Sequence, residues 1–243
     1  MQTRIQTAAL LSGILFMMMP AAQAPEVVIP LSAEPHHHLA LHNNYVNVYR
    51  VEVSPHDSVV LHRHDADAIS VMLSDAEVTV RGPGKPDVRQ KLSKGQIRLQ
   101  ASGYVHSTTI ESDEPYRNVT VELLLPQTGH ENLCAVVAAA KPLHCSDEQK
   151  TVSGAGYKVE PQFQTDQTRL TISRMGPHEV LTLDRTEKPE LIIAMDVGIR
   201  AGEKGNAMQA GEFTWREGGS LRETFTNTTG REVALISFVF SPQ

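Results

Sequence analysis

The chain has 243 residues, of which 40% are hydrophobic and 21% charged, with 16 Gly and 14 Pro, a globular composition that argues against disorder, collagen and coiled coil. Lys and Arg number 22 against 28 Asp and Glu, giving a net charge of −6, and no window is strongly basic, so the counterion-releasing patch that nucleic acid requires is missing. Only 5% of residues are aromatic, so the core must come from Val, Leu, Ile, Ala and Met, and the Val- and Thr-rich alternating runs predict an all-β protein.

Residues 1–24 carry a single charge, Arg4, then an apolar run from Ala8 to Met19, the helix-breaking Pro20 and the small-residue end Ala22-Gln23-Ala24. That is the pattern of a secretory signal. The run is short for a bilayer span and no later segment approaches 18 apolar residues, so the mature chain is expected in the periplasm or secreted, with no membrane contact after cleavage. An uncleaved N-terminal anchor is the alternative, and Pro25 shifts the expected cut by a residue or two. Residues 25–40 read as a flexible leading arm, whose His36-His37-His38, with His42 nearby, would capture metal adventitiously.

Residues 41–126 form a first strand-rich unit. Ser58 to His64, Ile69 to Leu73, Glu77 to Arg81, Val88 to Leu92, Gln96 to Gln100 and Asn118 to Leu124 alternate and are separated by Gly, Pro, Asp and Ser. Residues 127–156 read as a connector, with helix expected near Asn132 to Lys141. It holds Cys134 and Cys145, the only cysteines, and in an oxidising compartment they are expected to form a disulfide that contributes about 2 to 3 kcal/mol at most. A second unit, residues 157–243, has strands at Leu191 to Met195, Glu212 to Arg216 and Val233 to Phe240.

The two units are copies. Ser54-Pro55-His56-Asp57 matches Gly176-Pro177-His178-Glu179 at an offset of 122, and the run carrying Gly95, Gly103 and His106 matches the run carrying Gly211, Gly219 and Arg222 at an offset of 116. The difference falls in the loop from Gly82 to Asp87, where a hairpin tolerates changes in length. Evenly spaced short strands in each copy fit a sandwich or a closed barrel.

Ten of the eleven histidines precede residue 146. His62 and His64, two apart at a strand end, present both imidazoles to one face, and antiparallel pairing can bring His106 against them across the Gly103 turn. Three neutral imidazoles with open positions suit Fe, Mn, Ni, Zn or Cu and leave room for water or substrate. Tyr104 points to the same side as His106, as a proton donor, a substrate contact or a packing residue. Asn118-Val119-Thr120 and Asn227-Thr228-Thr229 match the glycosylation sequon but read as Thr-rich strands.

These residues resemble the cupins, and among them exported two-domain bicupins. The first cupin motif reads G-x5-H-x-H-x3,4-E-x6-G, of which this chain has His62 and His64 but Ala68 where the Glu belongs. The second reads G-x5-P-x-G-x2-H-x3-N, of which it has Gly95, Gly103 and His106, with Ala101 in place of Pro. The resemblance implies two tandem double-stranded β-helix (jelly-roll) barrels joined by a short helical, disulfide-stapled connector. It further implies one divalent transition metal on His62, His64 and His106, with Asp65, Asp67 or water in place of the missing Glu. In the second copy Asp184, Thr186 and Arg222 replace the three histidines, so that barrel is expected to be metal-free, with anion binding by Arg185, Arg216 and Arg222 as a minor alternative. The resulting expectation is an exported enzyme on a small organic molecule, as oxygenase, isomerase or lyase, with a non-catalytic ligand- or metal-binding module as the other reading. Either a monomer or a homo-oligomer is compatible with the sequence.

Overall fold

The computed structural model describes residues 26–125, 127, 131–132, 152–154, 156–165 and 167–241. The signal segment 1–24 and both cysteines, with their expected disulfide, lie outside these residues.

The first half contains β1 (Ile29–Pro30), β2 (His37–His42), β3 (Val46–Val53), β4 (Ser58–Arg63), β5 (Asp67–Met72), β6 (Ala76–Arg81), β7 (Val88–Leu92), β8 (Ile97–Gln100), β9 (Val105–Ile110) and β10 (Tyr116–Leu123). Two short strands follow, β11 (Glu131–Asn132) and β12 (Val152–Gly154). The second half contains β13 (Tyr157–Gln164), β14 (Thr168–Met175), β15 (Val180–Leu183), β16 (Glu190–Ala194), β17 (Ile199–Ala201), β18 (Ala207–Met208), β19 (Phe213–Arg216), β20 (Glu223–Asn227) and β21 (Val233–Phe240). Among the described residues the one helical element is a 3-10 turn, Leu31–Ala33. The helix expected near Asn132 is not found there: Asn132 lies in β11 and pairs with Phe163 of β13. The rest of the expected helix, like the disulfide, lies outside the described residues.

Each half is a pair of facing sheets. The first has the orders β1-β4-β9-β6-β7 and β2-β3-β10-β5-β8; the second has β11-β13-β14-β21-β16-β19, with β12 on β13, and β15-β20-β17-β18. The pairings are antiparallel except for β1 on β4. Of the arm expected over residues 25–40, residues 29–40 are built into the first half. β1 pairs with β4 at His62 and Arg63, β2 pairs with β3, and Leu31 is buried in the core with Tyr49, Val51 and Val78.

Side-chain alternation explains how the halves meet. In the sheet holding β5, β8 and β10, the apolar residues Ile69, Val71, Ile97, Leu99, Val119 and Val121 lie in one core cluster with Leu191, Ile193, Ile236 and Phe238 of the second half. That sheet therefore turns its apolar face to the other barrel. The alternate residues, Ser70, Arg98, Gln100, Asn118 and Thr120, face the interior of their own barrel, where they line its cavities. The second barrel differs, because Ile192, Ala194 and Leu235 fill its interior with hydrocarbon. Asn118 and Asn227 are buried at 3% and 0% exposure, so both sequons belong to interior strands.

Candidate metal centre

β4 and β9 run antiparallel with His62 directly opposite His106, after a β-bulge between Val59 and His62. His64 follows just beyond β4, where backbone bonds hold it to the 101–104 turn. Its N–H donates to Tyr104 O at 3.0 Å and its carbonyl accepts from Gly103 N–H at 2.7 Å. Gly103 has φ +79°, a conformation that costs a side-chain-bearing residue energy and costs Gly little. Sequence spacing and this turn together bring the three histidines to one point, where a ligand atom from each lies within 4.8 Å of the others.

The triad is buried, at 0% exposure for His62, 1% for His64 and 9% for His106. His62 Nδ1–H donates to Val60 O at 2.8 Å, which fixes the tautomer and leaves Nε2 as a bare acceptor; that atom is buried with no partner. His64 Nε2 and His106 Nε2 are 3.2 Å apart. Two donors bound at about 2.1 Å to one ion and separated by 90–110° lie about 3.0–3.4 Å from each other, so this spacing suits a shared metal. Thr108 Oγ1 stands 3.3 Å from His106 Nδ1, an outer contact of the kind that orients ligating imidazoles.

Burial pushes all three imidazoles below their ordinary range. It is the main cause for His62, for His64, which reaches about 3 with the charges of His62 and His37 adding to the effect, and for His106, which falls well below. Neutral imidazole is the form a metal requires, and here it is present without proton competition at neutral pH.

The expected stand-ins for the missing Glu do not join the triad. Asp65 is exposed and paired with Arg63 at 2.6 Å, and Asp67 accepts from Ser102 N–H at 2.8 Å, capping the turn beside the site. Ala68 pairs across the sheet with Gln100. Gln100 instead reaches the cavity of about 20 Å³ beside the triad, room for about one water or ion, and its Oε1 is buried and unpartnered. Tyr104 stands where the sequence placed it, its ring centroid 4.6 Å from that of His106.

His37 joins Gln100 as a residue beside the triad that sequence reasoning did not assign to the site. The His37 ring lies 5.1 Å from that of His62 and lines the same cavity. Its Nδ1 is held at 2.7 Å by Glu34, leaving Nε2 as the nitrogen available to the cavity. The available signal was an acid three residues before a histidine, overlooked because the arm was read as flexible. His36 binds Glu34 as well, at 3.1 Å, whereas His42 pairs with Asn47; neither joins the triad.

The second barrel closes the equivalent place. Asp184 and Arg222, at the positions of His62 and His106, form an exposed ion pair at 3.4 Å. Thr186, at the position of His64, bonds Lys188 O. Inside, Arg216 donates to Glu190 Oε2 at 2.6 Å and to the carbonyls of Asp184 and Leu221. Arg185 is engaged by Glu187 at 3.1 Å. Each of the three arginines named for anion binding thus faces a carboxylate of this chain, Arg216 in the interior and Arg185 and Arg222 at the surface.

No protein-family model matches the chain, and no curated protein matches it. Among solved structures it is similar to AerE from Microcystis aeruginosa, with a TM-score of 0.55 and 11% identity over 86% of this chain and 99% of that one. It is also similar to a mutant of salicylate 1,2-dioxygenase from Pseudoaminobacter salicylatoxidans in complex with gentisate, with a TM-score of 0.53 and 11% identity over 81% and 69% of the two chains. At this identity the likeness is one of fold. Taken with the paired sheets repeated in each half, it makes this a chain of the cupin fold, arranged as a bicupin.

Proposed function

We propose that the first barrel binds one divalent transition metal on His62, His64 and His106 and acts as a metal-dependent enzyme on a small organic molecule. The observation that carries the reading is the convergence of three buried, uncharged imidazoles with the Nε2 of His62 left without a partner. A metal held there supplies Lewis acidity and activation of water or dioxygen. The chain's own residues do the rest. Val60 O fixes the His62 tautomer, Glu34 orients His37 at the cavity wall, and Gln100 offers an acceptor to whatever occupies the open side. The fold neighbour named a salicylate dioxygenase supports oxygenase chemistry as the first to assay, with isomerase and lyase chemistry as the others. On the signal pattern of residues 1–24 we place this activity in the periplasm or outside the cell.

A second reading has one observation in its favour: a cavity of about 20 Å³ suits an ion and a water better than a substrate, as in a metal- or ligand-binding module without turnover. The Fe(II)-loaded protein should consume dioxygen, or convert substrate anaerobically by NMR, with a panel of small organic acids, and His106→Ala should lower the rate by at least about a hundredfold. Stoichiometric metal with no turnover on any member of the panel would favour the binding module.

A further inference from the structure

The first barrel takes one wall of its metal centre from the arm that precedes it. In β2, His37 pairs directly with Val51 of β3, and directly paired residues share a sheet face. Val51 packs into the barrel interior with Tyr49, so His37 faces inward too, and both His37 and Val51 line the cavity of about 20 Å³ beside the triad. The His37 side chain is 6% exposed and is gripped at Nδ1 by the fully buried carboxylate of Glu34 at 2.7 Å. Glu34 is itself held by the N–H groups of His36 and Val60, and the Tyr49 ring meets the His37 ring edge-on at 6.1 Å. These contacts fix the orientation of the ring, with Nδ1–H donating to the carboxylate and Nε2 left as an acceptor.

We propose that the Glu34–His37 pair serves the open side of the ion as a positioning device, with His37 Nε2 accepting a hydrogen bond from the water bound there. This rests on the reading of the triad as a metal centre. The His37 ring is 5.1 Å from that of His62, yet among the described residues only His62, His64 and His106 offer ligand atoms within 4.8 Å of one another. His37 therefore adjoins the ligands without belonging to them. The cavity it shares with them has room for about one water. A water on an ion needs an acceptor, because coordination uses a lone pair and leaves both protons facing outward. His62 and His106 have outer partners of their own, Val60 O and Thr108 Oγ1, and the carboxylate–histidine pair of the arm is the corresponding support for the side that the triad leaves open. Asp65 and Asp67, the acids expected there, are turned to Arg63 and the Ser102 N–H, so the arm supplies the carboxylate that is missing at Ala68.

The test loads the full chain with Mn(II) and reads the residence time of the ion's water by oxygen-17 relaxation, in the wild type and in two variants. His37→Phe keeps a ring against Tyr49 and His62 but removes Nε2, and Glu34→Gln keeps the ring but weakens the grip on it. The wild type should hold an exchangeable water for at least about tenfold longer than His37→Phe, with Glu34→Gln between them, while all three bind about one equivalent of Mn(II). Equal residence times in wild type and His37→Phe, or no exchangeable water on the bound ion, would overturn the proposal. Loss of Mn(II) from a folded His37→Phe would do so too, because His37 would then be a ligand. Should His37→Phe fail to fold, a residence time in Glu34→Gln equal to that of the wild type overturns it. A wild type that takes up no Mn(II) would sink the metal centre and this proposal with it, whereas an occupied triad with a freely exchanging water overturns this proposal alone.

Discussion

Glu34 accepts four hydrogen bonds at once, from the ring and N–H of His36, the ring of His37 and the N–H of Val60. Burial alone would raise its carboxyl, but the bonds from His37 and His36 together outweigh burial and hold it at about 2, against an ordinary 4.5. A carboxyl depressed in the folded state contributes stability above its unfolded value, and that stability is lost as pH falls from 4.5 toward 2. Glu34→Gln should therefore cost about 1–3 kcal/mol at pH 7 in urea melts and lack the wild type's loss of stability between those two values. An unchanged acid profile in the variant would remove Glu34 from this role. The triad was legible in the sequence because a two-residue step on a strand is a strong geometric statement. His37 and Gln100 were not, because a polar residue in an alternating strand ordinarily faces water. In β8 the apolar face meets a second barrel and the polar face turns inward.

At the level of elements, the two barrels solve the same interior differently. Where β5 of the first has Ala68 opposite Gln100, β16 of the second has Glu190 opposite Arg216, an ion pair with its arginine 3% and its acid 8% exposed at the side chain. Burial pushes the Glu190 carboxyl up while Arg216 pulls it down, so its charge depends on its partner. Arg216→Met alone should destabilise the protein by about 3–5 kcal/mol, and adding Glu190→Leu should recover most of that loss. Denaturant melts of the single and double variants decide it; a double variant no more stable than the single would show that Arg216 acts through its backbone contacts instead. The strands themselves were largely legible. Val88–Leu92 and Val233–Phe240 fall at the expected residues, since Gly, Pro and Asp punctuate both ends. Asp67–Met72 begins two residues early, because sheet pairing reaches past the apolar run that marked it. Of the helix expected from Asn132 only that first residue is described, and it pairs with β13 instead.

Across the whole molecule, one apolar cluster joins the barrels. Gly211, at φ +86°, sits so close that an added Cβ would meet Leu73 Cδ1 at 2.7 Å, and Lys94 pairs with Asp196 at the margin at 2.5 Å. Phe238, fully buried in this cluster, should cost about 3–5 kcal/mol when changed to Ala, and calorimetry should show one transition for both barrels in wild type and variant alike. Two separated transitions in the wild type would mean that the barrels fold independently. The internal repeat made the two-barrel plan legible, but repeat alignment says nothing about which faces the copies share. The interface and the inward polar face of the first barrel thus emerge together, from the same strands. The central claim is the metal on that inward side, and metal content by elemental mass spectrometry of the untagged protein tests it most directly. The account predicts about one equivalent of a single transition metal, lost in His62→Ala and His106→Ala and kept when His36 and His38 are replaced by Ala. No metal in the wild type, or metal that vanishes only with His36 and His38, would contradict it.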